Sequence, residues 1–134
     1  MNQKVVPVIS SVGKVWGRDA IYLDKVHVLG ESTFELTGKF NGTLCENLED
    51  NSFHKFKITF RSVLMFKMMD LDYDEIEYKS SFDLIENSEQ IARMIKEDQE
   101  EYLSKVDDTY KHIVFRTYDT VFEVIGLEYE LELT

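Results

Sequence analysis

Leu127-Glu128-Tyr129-Glu130-Leu131-Glu132-Leu133 is the stretch on which the fold turns. Apolar and acidic residues alternate without interruption, the period of a strand with one buried and one wet face. Residues 111–118 form a second β-rich run just before it. Working outward, Phe56, Ile58 and Phe60 alternate with Lys55, Lys57, Thr59 and Arg61, which predicts a strand whose exposed row is basic. Residues 63–69 continue it as an apolar run broken by Lys67. Phe34, Leu36 and Phe40 alternate with Glu35, Thr37 and Lys39, and residues 20–29 are rich in β-formers; Gly30-Glu31-Ser32 between them predicts a hairpin. Ile76, Tyr78 and Phe82 set against Glu77, Lys79 and Ser81 read as a further strand. Residues 4–9 read as a short strand that Pro7 confines to an edge, because proline gives the ladder no donor.

The loops follow from composition. Residues 41–52 are polar, with Leu44, Cys45 and Leu48 as anchors, and Gly13 and Gly17 bracket a loop expected to drop Trp16 onto the core. Residues 87–106 give the one convincing helix. Asn87 is placed to cap it with Gln90 three residues on, and Glu89 sits in the first turn, where the helix dipole favours negative charge. Ile91, Met94, Ile95, Tyr102 and Val106 fall on one stripe, opposite Arg93, Lys96, Glu97 and Glu100. Lys96 with Glu100 and Glu101 with Lys105 are ordinary pairs four residues apart. With only one possible crossover helix, the expected fold is α+β: a mostly antiparallel sheet of about six or seven strands, with one long amphipathic helix packed on it.

The 134 residues, 43% hydrophobic and 13% aromatic with a single proline, suit one compact domain spanning 1–134. No apolar run is long enough for a membrane span. Val5-Val6-Pro7-Val8-Ile9 is too short for a signal-peptide core, and the lone Cys45 has no partner for an internal disulfide, so a cytoplasmic protein is expected. The net charge of −11 is uneven. Residues 1–67 carry nine Lys and Arg against seven Asp and Glu, or +2; residues 68–134 carry six against nineteen, or −13. That asymmetry argues against nucleic acid and anionic membrane, which need clustered cations, and permits a basic protein partner. Oligomeric state cannot be read from these features.

Catalytic and metal signatures do not emerge. Asp70-Leu71-Asp72-Tyr73-Asp74 begins like a calcium loop, yet Glu75 replaces the glycine of position six and Ser81 the glutamate of position twelve. His27, His54 and His112 lack metal-ligand spacing. A general base at His112 beside Asp107 or Asp108 is conceivable, but nothing selects it over a half-buried strand histidine. The glycines form no phosphate-binding loop, and no serine lies in G-x-S-x-G. No cofactor and no metal are expected. Met65, Met68 and Met69 read as core filler. The Glu128, Glu130, Glu132 row has two explanations: it blunts a sheet edge, or it lies across the sheet from Lys55, Lys57 and Arg61. Neither neutralises Asp70, Asp72, Asp74, Glu75 and Glu77, nor Asp107 and Asp108.

Gly17-Arg18-Asp19-Ala20, the acidic second half and the run His112-Ile113-Val114-Phe115-Arg116-Thr117-Tyr118-Asp119-Thr120-Val121-Phe122-Glu123-Val124-Ile125 together resemble small acidic bacterial proteins encoded beside polymorphic toxins and regarded as immunity proteins. The resemblance implies a protein that binds and neutralises a cognate toxin, with no defined catalytic residue. The expected interface is Asp70, Asp72, Tyr73, Asp74, Glu75 and Glu77 together with Asp107 and Asp108, with Tyr73 and Tyr78 as aromatic anchors. The alternative is a small-molecule-binding or enzymatic α+β domain, with a pocket between helix and sheet lined by Trp16, other aromatics and one histidine.

Overall fold

The structure, a computed structural model, describes residues 2–48, 50–100 and 106–134. Its strands are β1 (Lys4–Pro7), β2 (Ile21–Val28), β3 (Phe34–Asn41), β4 (Phe53–Asp70), β5 (Phe82–Glu86), β6 (Lys111–Arg116) and β7 (Thr120–Leu133), with the helix α1 (Glu89–Glu100) between β5 and β6. They form one seven-stranded sheet in the order β1-β5-β6-β7-β4-β3-β2. Every pairing is antiparallel. The α+β class and the β2–β3 hairpin are as expected, and β1 with its Pro7 lies at an edge.

The spine is the pairing of the two longest strands, β4 and β7. Strands this long cannot stay flat, because each carries a right-handed twist. Here β4 bends: Ser62 has a positive φ of 54°, and the β4–β7 register shifts between Val63 and Met65. The extra residue is a bulge. It releases β4 from β3 at Phe60 while pairing with β7 continues to Asp70.

Side-chain alternation on β7 also switches across this region. Phe122 and Val124 enter the main core, and so do Tyr129 and Leu131, although they differ in parity. Gly126 lies between them, opposite Val63. The clean alternation of residues 127–133 therefore belongs only to the outer half of β7. The inner half is covered on both faces and buries Val121, Phe122, Val124 and Ile125.

One face of the sheet carries the main core. Phe40, Phe56, Phe60, Phe82, Phe115 and Phe122 are all essentially inaccessible there, each contributing about 1.5–3 kcal/mol by burial. Residues of the 8–20 loop and of the 42–48 segment close over it, supplying Val12, Val15, Ala20 and Cys45. Trp16 does not join them and is 51% exposed. The reason is local: Val15 bridges to Cys45 and the Trp16 N–H bonds to Leu44 O at 3.1 Å, so the loop is extended and alternation sends Val15 in and Trp16 out.

The opposite face is covered by α1, whose Ile91, Met94 and Ile95 pack with Val106, Tyr110, Ile125 and Met65. The described helix begins at Glu89, two residues inside the expected 87–106 span. It holds 12 residues, and Tyr102 and the Glu101–Lys105 pairing lie outside the described residues. Its cap is Ser88, not Asn87. The Ser88 Oγ accepts from the Ile91 N–H at 3.1 Å, while Asn87 adopts a positive φ of 54° to turn the chain out of β5. The strand expected through Ile76 and Tyr78 is irregular instead, and β5 begins only at Phe82.

Candidate functional site

On the helix-bearing face, β6 presents His112, Val114 and Arg116, which share one parity. Arg116 organises one end. Its Nε donates to Asp74 Oδ2 at 2.6 Å, one terminal nitrogen to Asp83 Oδ2 at 2.7 Å and Ser80 O at 2.8 Å, and the other to the carbonyls of Ile76 and Glu77 at 3.2 Å each. All five guanidinium donors are used. Asp83, which is fully buried, further accepts from Ser80 Oγ at 2.6 Å and from the backbone of Lys79 and Ser80. These bonds draw the 74–81 backbone onto Arg116, so it cannot join a ladder. Tyr78 is held as well, its hydroxyl accepting from the Gly17 N–H at 2.6 Å and its ring lying edge-on to Trp16.

This cluster redistributes the expected interface. Asp74 turns inward to Arg116 and is nearly buried. Glu77 pairs with Lys79 at 3.2 Å. Asp70 ends β4 and accepts from the Asp72 N–H at 2.9 Å, shaping the short 3-10 turn Leu71–Tyr73, which is pinned by Leu71 N–H to Asp119 O at 2.9 Å. Tyr73 stands out from that turn, 75% exposed, flanked by Asp72 and Glu75, which are also exposed. Among the described residues, Asp70, Asp72 and Glu75 make no close ion pair; Asp72 acts only at longer range on Arg18, which Asp119 engages at 3.1 Å.

Asp107 and Asp108 lie elsewhere. They precede Lys111, which pairs with Gly126, whereas Asp70 pairs with Thr120 beside the Arg116 end of β6. The length of β6 separates the two groups, roughly 17 Å at strand rise. Hydrogen bonds from the Thr109 hydroxyl and N–H hold the Asp107 carboxyl below its ordinary range.

The glutamate row is largely neutralised across the β4–β7 ladder. Lys57 meets Glu132 at 3.4 Å and Arg61 meets Glu130 at 3.3 Å. The basic and acidic rows thus face each other across the sheet, the second of the two explanations.

At the other end of β6, His112 is buried. Its Nδ1 lies 2.6 Å from Ser88 Oγ and its Nε2 2.8 Å from Glu123 Oε2. That bond from His112 holds the Glu123 carboxyl below its ordinary range, against the opposing effect of burial. A groove of about 580 Å³ runs between α1 and the end of β5 and start of β6, lined by Ser88, Ile85, Ile91, Ile95 and Tyr110 among others. Trp16 is not part of it. Cys45 is buried on the opposite face, and desolvation pushes its thiol up to about 11, which removes it as a nucleophile near neutral pH.

The sequence does carry a signal for Arg116: a lone arginine following Ile113-Val114-Phe115 must find partners wherever that run is buried. The Ser88–His112–Glu123 chain had no comparable signal, since only the register brings its members together. Among the described residues, no three of His, Cys, Asp and Glu could hold a metal ion, and no helix is long and apolar enough to cross a membrane. In comparisons with known proteins, no family model matches the chain, and neither a curated protein nor a solved structure matches it significantly.

Proposed function

We propose that the chain is an immunity- or inhibitor-type protein that binds a basic protein partner, such as a toxin domain, through the acidic turn of residues 70–75. The observation that carries this reading is the set of three exposed, unpaired carboxylates of Asp70, Asp72 and Glu75 around the protruding Tyr73. Elsewhere the acids of β7 and of the 74–83 segment largely meet cations of the same molecule. Unpaired carboxylates steer a cationic partner toward them, and an exposed tyrosine in their midst supplies the apolar area that steering alone lacks. The Arg116 cluster holds the base of the turn, which lowers the ordering cost on binding.

The test is co-purification with whichever toxin-type domain a neighbouring gene encodes, using the native protein and the Asp70→Lys/Asp72→Lys/Glu75→Lys variant. Loss of capture in the variant, with its fold intact by circular dichroism, supports the reading. Equal capture by both proteins removes the turn as the interface, and no capture by the native protein removes the immunity role.

A further inference from the structure

The Ser88–His112–Glu123 chain lies at the far end of β6 from the acidic turn and goes beyond the binding role. We propose that it is a serine-nucleophile site, which hydrolyses small esters whose apolar acyl group occupies the groove between α1 and the sheet.

A nucleophile, a base within hydrogen-bond reach and a third group orienting the base are the parts that covalent acyl transfer needs. Here Ser88 Oγ is 2.6 Å from His112 Nδ1, and His112 Nε2 is 2.8 Å from Glu123 Oε2. The ionised carboxylate can only accept, so Nε2 carries the proton, and in the neutral imidazole Nδ1 accepts the Ser88 hydroxyl. The other Glu123 oxygen, Oε1, lies 3.9 Å from Lys67 Nζ.

The surroundings suit the developing charge. Ser88 is held at the start of α1 by the left-handed turn at Asn87. The Ile91 N–H on Oγ, together with the positive end of the helix, stabilises an alkoxide as it forms. The N–H of Glu89, the residue after Ser88, already binds an amide oxygen, Gln3 Oε1 at 2.9 Å. A substrate carbonyl oxygen would take that place. Gln3 is exposed and can swing away. The groove offers Ile85, Ile91 and Ile95 to the acyl chain.

In the first half-reaction His112 Nδ1 takes the Ser88 proton as Oγ adds to the ester carbonyl. The tetrahedral intermediate expels the alkoxide, which His112 protonates, leaving acyl-Ser88 and a free alcohol. Water then adds to the acyl carbon, giving its proton to His112, and the carboxylic acid leaves as Ser88 recovers its proton. Glu123 is a positioning residue throughout.

The experiment uses the full chain with p-nitrophenyl butyrate and, separately, a fluorophosphonate probe followed by peptide mapping. The native protein is expected to turn over the ester and to be labelled at Ser88. Ser88→Asn retains a good helix cap, so it separates chemistry from folding. It and His112→Gln are each expected to lose about 10²-fold or more. Gln3→Ala is expected to raise turnover, and Glu123→Gln to displace the pH-rate profile, which a purely structural residue would not do. Turnover unchanged in Ser88→Asn overturns the proposal. So does the absence of both turnover and Ser88 labelling in the native and Gln3→Ala proteins.

Discussion

Arg116 shows how one side chain can decide the shape of a segment that does not contain it. With five donors satisfied and two carboxylates against it, it converts residues 74–81 from a strand into an anchored loop. Replacing it with methionine would leave Asp83 charged in a site without solvent, and breaking such a buried pair from one side costs about 3–5 kcal/mol. The Arg116→Met protein is therefore expected to show a large drop in the urea midpoint. Adding Asp83→Asn should recover part of that loss, because the stranded charge is then gone. Glu123 makes a prediction of different kind. Its folded carboxyl ionises below the ordinary value of 4.5 because His112 bonds to it. The folded state thus binds that proton less readily than the unfolded chain, so the stabilisation is present above the unfolded value and is lost as pH falls through the folded one. Denaturant midpoints measured between pH 6 and 3 should fall less steeply in Glu123→Gln than in the native protein.

At the scale of elements, β2 and β3 approach most closely at a glycine. A Cβ added at Gly38 would sit 2.0 Å from the Tyr22 carbonyl oxygen, next to the register shift between Leu23 and Lys25. Backbone cannot yield as a flexible side chain can, so Gly38→Ala is expected to cost about 1–3 kcal/mol, measured as a shift in thermal midpoint, while Gly30→Ala, which meets nothing within 4 Å, should be near neutral. This fit also marks where sequence reading stops. Period-two alternation located β3, the first half of β4 and the outer half of β7, β-former content located β2, and the Lys57 and Arg61 row meets glutamates of β7, since those strands keep one face against the core. The alternation fails where both faces are covered, as at Val121 to Ile125, and where a bulge changes parity, as at Ser62 to Met65. It also misleads at Ile76 and Tyr78, whose apolar spacing mimics a strand while the backbone carbonyls of Ile76 and Glu77 go to an arginine forty residues away. For the candidate sites, exposure of Asp72, Tyr73 and Glu75 agrees with their polarity in the sequence, but the inward turn of Asp74 needed Arg116 to be placed first.

For the molecule as a whole, the decisive quantity is the distance over which its unpaired charge acts. Two acidic groups stand at opposite ends of β6: Asp70, Asp72 and Glu75 at one, Asp107 and Asp108 at the other, roughly 17 Å apart at strand rise. The screening length is about 30 Å at 0.01 M salt and about 8 Å at 0.15 M. At low salt both groups lie within one screening length and attract a basic partner together; near physiological salt each acts alone. Stopped-flow association with a basic partner should reflect this. Reversing either group is expected to slow association at 0.01 M, whereas at 0.15 M only reversal of the 70–75 group should do so. Reversing Glu130 and Glu132 serves as the comparison, because their charge is already met by Arg61 and Lys57; it should lower stability by a few tenths to about 1 kcal/mol per pair and change the on-rate at 0.15 M least. If at that salt concentration the 107–108 reversal slows association and the 70–75 reversal does not, the partner docks at the helix end of β6, over the groove that holds Ser88, and the binding surface must be reassigned there.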